Sequence, residues 1–182
     1  LGRLAKDKGT QDEVYKIELL MKQAKITPEY RPVVPTANNL AKETKAPAAA
    51  LELPDGKIVT GKTTALLGAS SAVLLNAVKE LGGIPDETLL ISPTFIEPIQ
   101  HLKTEYLGSK NPRLHTDEVL TALSMCAASD ENARRALEQL PLLRGCQVHT
   151  SVMLSSVDVK TFHALGIQLT SEPIYEDKKL YH

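Results

Sequence analysis

Residues 50–63 read Ala50-Leu51-Glu52-Leu53-Pro54-Asp55-Gly56-Lys57-Ile58-Val59-Thr60-Gly61-Lys62-Thr63, and two incompatible structures compete for them. From Gly56 to Thr63 the residues satisfy G-x-x-x-x-G-K-[ST], a loop that curls successive amides around phosphate between a strand and a helix. The same residues also alternate apolar and polar on both sides of Pro54-Asp55-Gly56, and Asp-Gly between alternating runs signals a β-hairpin. The variable positions decide between them. Lys-Ile-Val-Thr contains stiff β-branched residues that favour extended backbone, and the hairpin turn already uses the first glycine. A hairpin is expected, opening a sheet-forming domain near residue 48.

Reading onward, Ser70 or Ser71 can cap a helix to Leu81, with Val73, Leu74, Ala77, Val78 and Leu81 inward and Gly82-Gly83 as its end. A short strand is expected over Thr88 to Ile91. Pro93 then opens a helical segment bearing Phe95, Ile96, Ile99 and Leu102, in which Pro98 implies a kink or a break. Gly108, Asn111 and Pro112 make 107–115 a loop. Thr116 caps a helix with Val119, Leu120, Leu123 and Cys126 inward, and Ser129 caps another through Ala133, Ala136, Leu137 and Leu140. Gln147 to Leu154 is the clearest strand. Ser155-Ser156-Val157-Asp158 is a capping box for a helix carrying Phe162 and Leu165 and ending at Gly166. Ile167 to Thr170 alternates as a last strand, and a charged extended tail follows from Glu172 to His182. This order predicts an α/β three-layer sandwich: a mixed sheet with helices on both faces.

Upstream, Thr10-Gln11-Asp12-Glu13 is a capping box for a helix to about Ala24, whose Val14, Ile17, Leu20, Met21 and Ala24 form one apolar stripe. Pro28, Pro32, Pro35 and Pro47 leave room only for a short helix around 37–44. Residues 1–47 are therefore expected to be a helical lead-in and Pro-rich connector, and 48–182 the sandwich domain. Leu1 in place of an initiator Met suggests a piece of a larger protein.

A net charge of -1 gives no long-range pull on phosphate backbones or anionic lipid, so no nucleic-acid partner is expected. The longest apolar run, from Ala65 to Val78, is broken by Gly68, Ser70, Ser71 and Asn76, so no membrane association is expected either. Two cysteines, Cys126 and Cys146, fit a reduced, cytoplasmic compartment, with no disulfide expected. His101, His115, His149, His163 and His182 show no metal-binding spacing with each other or with the cysteines, so no metal and no cofactor is expected. Cys146 and His149 lie three apart along a strand, on opposite faces, and cannot share a proton.

The chemically richest stretch is 107–118, a loop of hydrogen-bonding groups running into a helix N-terminus. Ser109, Asn111, Arg113 and His115 are candidate ligands for a phosphate or carboxylate, joined by His149 if the loop folds over the sheet edge. The bland alternative is that Ser109 and Asn111 satisfy the loop's own backbone while Arg113 pairs with a surface carboxylate.

Gln100-His101-Leu102-Lys103, the run Leu107 to His115 and the run Leu53 to Lys62 closely resemble a bacterial family, domain-of-unknown-function family 1846, over nearly the whole chain. The resemblance implies a longer protein of which this is the C-terminal third, and a sandwich of cytidine-deaminase-like topology. Deaminase chemistry requires H-x-E or C-x-E at one helix start and P-C-x-x-C at the next. The corresponding helix starts here are Ser70-Ser71-Ala72 and Ser92-Pro93-Thr94, a frame without the zinc motif. No complete catalytic constellation is present. The leading expectation is a non-catalytic accessory or assembly domain, with the N-terminal domain of the same protein as partner and homo-oligomerisation possible. The alternative is an anion- or nucleotide-binding half-site of a composite enzyme active site.

Overall fold

The computed structural model describes residues 31–175. The helix expected over 10–24 and the end of the expected tail lie outside the described residues. Strands β1 (Ala48–Glu52) and β2 (Ile58–Lys62) form the expected hairpin in antiparallel register, Leu51 opposite Val59. Its turn is closed by Gly56 N–H to the Leu53 carbonyl at 2.9 Å and by Lys57 N–H to Asp55 Oδ1 at 3.0 Å. Gly56 sits at φ 89°, where a side chain is strained. Because 58–62 is laddered strand, the phosphate-loop pattern is not a phosphate loop.

Strand β3 (Gln147–Thr150) lies antiparallel on the other side of β1, and β4 (Gln168–Ser171) runs parallel to β3, giving the mixed order β2-β1-β3-β4. Six α-helices are described: α1 (Val33–Thr44), α2 (Ala69–Leu81), α3 (Pro93–His101), α4 (Thr116–Ala127), α5 (Glu131–Leu137) and α6 (Ser156–Ala164). Helices cover both faces. Ala50 of β1 packs with Val33, Val34 and Ala37 of α1. Its neighbours Ala49 and Leu51 face the larger core, built with Val73 and Leu74 of α2, Val119 and Leu123 of α4, and Phe162 of α6. Alanine is a poor strand former, yet Ala48, Ala49 and Ala50 are fully buried in this central strand. Small side chains there let a helix approach from each side.

The closest approach is at Gly61 of β2. A Cβ placed there would lie 2.3 Å from the Val73 backbone nitrogen of α2. The second glycine of the G-K-T pattern thus serves helix-on-sheet packing.

Several boundaries differ from expectation. α1 starts at Val33, not near residue 37, because Pro35 falls in the first turn, where its missing N–H costs nothing. The strand expected over Thr88 to Ile91 does not form: Leu90 and Ile91 are both buried, and consecutive inward residues do not fit an alternating strand. β3 ends at Thr150, not Leu154, because β1 runs out: Ser151 N–H bonds the Ala48 carbonyl and its Oγ accepts from Ala48 N–H at 2.9 Å. The caps are Gly68 rather than Ser70 or Ser71, His115 rather than Thr116, and Asp130 rather than Ser129. Pro98 sits within α3, which passes into a π-helical turn over Leu102–Tyr106.

Candidate anion-binding cleft

The first turn of α2, the loop 107–115 and the segment after β3 converge on a cleft of about 70 Å³. Gly68 caps α2 in extended conformation but has no side chain to satisfy the helix's leading amides. Thr63 Oγ1 accepts from Ala69 N–H at 3.2 Å. The next two amides, of Ser70 and Ser71, have no hydrogen-bond partner among the described residues. Ser71 donates its hydroxyl to the Leu114 carbonyl at 2.9 Å. Ser70 lines the cleft, and its hydroxyl, open to the cleft surface, has no partner among the described residues.

The facing wall is the loop. Leu114 N–H bonds the Leu66 carbonyl, and Leu67 and Leu114 form a parallel bridge, so the loop lies along the chain entering α2. Arg113 Nε donates to the Thr64 carbonyl, tying the same two segments. From behind, buried Lys103 donates to the Arg113 carbonyl and to Glu118 Oε1 at 2.8 Å, and Glu118 accepts in turn from His115 N–H at 2.8 Å.

Asp158 of α6 completes the cleft. Its Oδ1 accepts from Thr116 N–H at 3.0 Å and from Thr116 Oγ1–H at 2.8 Å. Its Oδ2 stands 3.6 Å from His115 Nδ1, an ionic contact rather than a close hydrogen bond. Burial alone pushes the Asp158 carboxyl up, but His115 and the two Thr116 donors outweigh it and hold it below its ordinary value. Asp158 in return raises His115 above the ordinary imidazole value, against burial and nearby Lys103. The pair therefore presents an imidazole inclined to carry charge, beside a helix N-terminus whose partial positive charge has the same sign.

Residues 29–181 match the family described as "Domain of unknown function DUF1846, C-terminal". The chain belongs to this family. Among its relatives, a UPF0371 protein of Corynebacterium aurimucosum is 57% identical over 169 residues, which are 93% of this chain and 34% of the relative. One of Corynebacterium glutamicum is 56% identical over 166 residues, 91% and 34% respectively. One of Streptococcus thermophilus is 48% identical over 168 residues, 92% and 34%. The chain thus spans about a third of the relatives' length, and the DUF1846 C-terminal domain is one part of a longer bacterial protein.

Of the residues singled out in this DUF1846 domain's sequence, Asn111, Arg113 and His115 line the cleft. Ser109 does not line it. Its Oγ accepts from Asn111 N–H and donates to the Asn111 carbonyl, and Asn111 Oδ1 accepts from Arg113 N–H at 3.0 Å, so both serve the loop's own backbone. His149 is elsewhere. It points to the α1 side of β3, with Nδ1 2.7 Å from Thr170 Oγ1, while Nε2, 3.9 Å from Glu172, makes no hydrogen bond. Burial pushes His149 below the ordinary value.

Sequence reasoning missed Ser70 and Asp158 as cleft residues, because each had a sufficient local reading as a helix cap. Ser155 does accept from Asp158 N–H at 3.3 Å, but the Asp158 carboxylate turns away to Thr116, 42 residues distant in sequence. Cys126 and Cys146 are free and buried, and burial pushes both thiols up. Among the described residues no group of three or more His, Cys, Asp or Glu side chains is placed to hold a metal, and no helix is long and apolar enough to cross a membrane.

Proposed function

We propose that this domain contributes an anion-binding half-site to the longer protein, holding the terminal phosphate or carboxylate of a larger ligand. The observation that carries it is the Ser70 hydroxyl, which opens onto the cleft without a partner among the described residues, beside the open amides of Ser70 and Ser71 and across from His115 and Asp158. An oxyanion accepts from all three donors, and hydrogen bonds to a charged acceptor are the stronger kind. About 70 Å³ is room for roughly five water-sized positions at about 15 Å³ each. That suits a terminal phosphate but excludes a whole nucleotide, so the remainder of the ligand lies against the rest of the longer protein. We read the frame as cytidine-deaminase-like, but the serines and threonine at its two helix starts are not the thiolate and imidazole ligands zinc requires. No deamination is assigned.

Titration calorimetry of the longer protein with inorganic phosphate, then with pyrophosphate, tests the proposal. Losing a hydrogen bond to a charged group removes about 1.5–3 kcal/mol, so Ser70→Ala should weaken phosphate roughly 10- to 100-fold. His115→Gln should weaken it too and flatten its pH dependence near neutrality. Unchanged affinity in both variants refutes the half-site.

An accessory or assembly role is a compatible second reading. It is favoured by Phe95, Leu102, Tyr106 and Leu107, large apolar residues exposed together along α3 and its π-helical turn. Contact with the N-terminal part or with a second copy would cover them, and the two free thiols suit the reduced cytoplasm.

A further inference from the structure

The cleft that holds the proposed anion is not lined by donors alone. Asp158 is the one carboxylate among the described residues that line it. It is 8% exposed, and its two oxygens differ. Oδ1 is taken by Thr116 N–H at 3.0 Å and Thr116 Oγ1–H at 2.8 Å, which fixes how the carboxylate sits. Oδ2 accepts no hydrogen bond among the described residues: it has the 3.6 Å contact with His115 Nδ1 and is otherwise open to the cleft surface. Neighbouring side-chain oxygens of the lining are occupied, Thr63 Oγ1 by Ala69 N–H, Asn111 Oδ1 by Arg113 N–H and Ser155 Oγ by Asp158 N–H. Burial pushes the Asp158 carboxyl up, but His115 and Thr116 hold it below its ordinary value, so it is ionised at neutral pH.

An ionised carboxylate can only accept a hydrogen bond, and in an anion site that makes it a filter. An oxyanion seated on the Ser70 hydroxyl and the Ser70 and Ser71 amides fills a space of about 70 Å³ and so abuts the wall where Asp158 stands. If the anion brings a proton, its O–H donates to Oδ2 in a short charge-assisted bond. If it brings none, two negative oxygens meet in a partly buried site, where water and salt screen them poorly. Inorganic phosphate keeps at least one proton near neutrality, and a phosphate monoester, whose second ionisation lies at about pH 6, keeps one in part. Sulfate keeps none, and neither do simple carboxylates. His115 offers positive charge to every anion alike and does not choose between them.

We propose that the cleft selects a protonated phosphate group, the hydrogen-phosphate ion or the singly protonated end of a phosphate monoester, and rejects sulfate and carboxylate. Asp158 Oδ2 accepts the hydrogen bond from the phosphate O–H. The selectivity rests on the anion-binding half-site and narrows its ligand from oxyanions in general to phosphate.

The test is titration calorimetry of the longer protein at neutral pH with inorganic phosphate, glycerol phosphate, sulfate and acetate in turn. A hydrogen bond to a charged group is worth roughly 10- to 100-fold in affinity, so inorganic phosphate should bind at least about tenfold more tightly than sulfate or acetate. In Asp158→Asn, whose amide can donate where the carboxylate cannot, sulfate should come within about threefold of phosphate. A purely structural Asp158 would weaken both anions alike and leave their ratio unchanged, which counts against the proposal. Either phosphate source supports it: glycerol phosphate bound as tightly as inorganic phosphate marks the end of a larger ligand, and its rejection marks the free ion. Sulfate or acetate within about tenfold of phosphate on the wild-type protein overturns the selectivity while leaving the half-site standing, and that comparison needs no variant to fold. Binding of none of the four anions overturns the half-site and the selectivity with it.

Discussion

Replacing Gly61 with alanine separates packing from backbone conformation. Gly61 lies in β2 in ordinary extended backbone, where alanine is normally the better residue: it removes unfolded-state freedom and stabilises by about 0.4–1 kcal/mol. The structure reverses the sign. The new Cβ would stand 2.3 Å from Val73 N and 2.8 Å from Ala72 C and Val73 Cα, where 3.4–4 Å is ordinary contact. All three are backbone atoms of α2, so no rotamer change relieves the clash and the helix must retreat by about 1 Å. That loosens Val73, Leu74, Ala77 and Val78 together, all fully buried. Overpacking of this kind costs about 3 kcal/mol or more, which for a chain of this size lowers the melting midpoint by roughly 6–12 °C. The control is Gly56→Ala. Gly56 has the unfavourable φ of 89° but nothing within 4 Å of its Cβ, so only backbone strain of about 1 kcal/mol applies, roughly 2–4 °C. Far-UV circular dichroism during heating reads both. If Gly61→Ala melts no lower than Gly56→Ala, the close seating of α2 on β2 is wrong.

Two further outcomes concern buried ionisable groups. His115, raised in the fold, stabilises fully below about pH 6.5 and loses that contribution as pH rises through its folded value; His149, lowered by burial, instead destabilises as pH falls below about 6.5. The two slopes oppose each other, so melting midpoints of His149→Asn should fall with rising pH between about 6 and 8 and those of His115→Gln should rise; equal slopes would refute the assignment. Asp158→Asn replaces an acceptor for Thr116 and an ionic partner of His115 with an uncharged amide. It should cost about 3 kcal/mol at neutral pH by urea denaturation. Because Asp158 is lowered in the fold, its stabilisation is present above about pH 4 and is lost on further acidification through its folded value, so wild type and variant should converge there.

The hairpin was legible because its evidence is local. Asp55-Gly56 demands a turn, and β-branched Ile58-Val59-Thr60 demands extension, whatever surrounds them. The same holds for α6 and for the end of α2 at Gly82-Gly83, where a cap and a glycine suffice. Asn111, Arg113 and His115 were conspicuous for the same reason, being polar groups crowded into one loop before a helix. Positions whose roles are set by distant partners were not legible. β3 stops at Thr150 because β1 begins at Ala48, about a hundred residues away in sequence. Asp158 reads as a capping residue until Thr116 is seen against it, and Ser70 reads as a cap until Gly68 takes that place and leaves it lining the cleft. His149 looked like a partner of the loop, but strand alternation and the direction of β3 turn it to the opposite face, under α1. Propensity and turn chemistry act within a few residues and are written in the chain. Which glycine a helix rests on and which carboxylate meets which histidine depend on how the layers close.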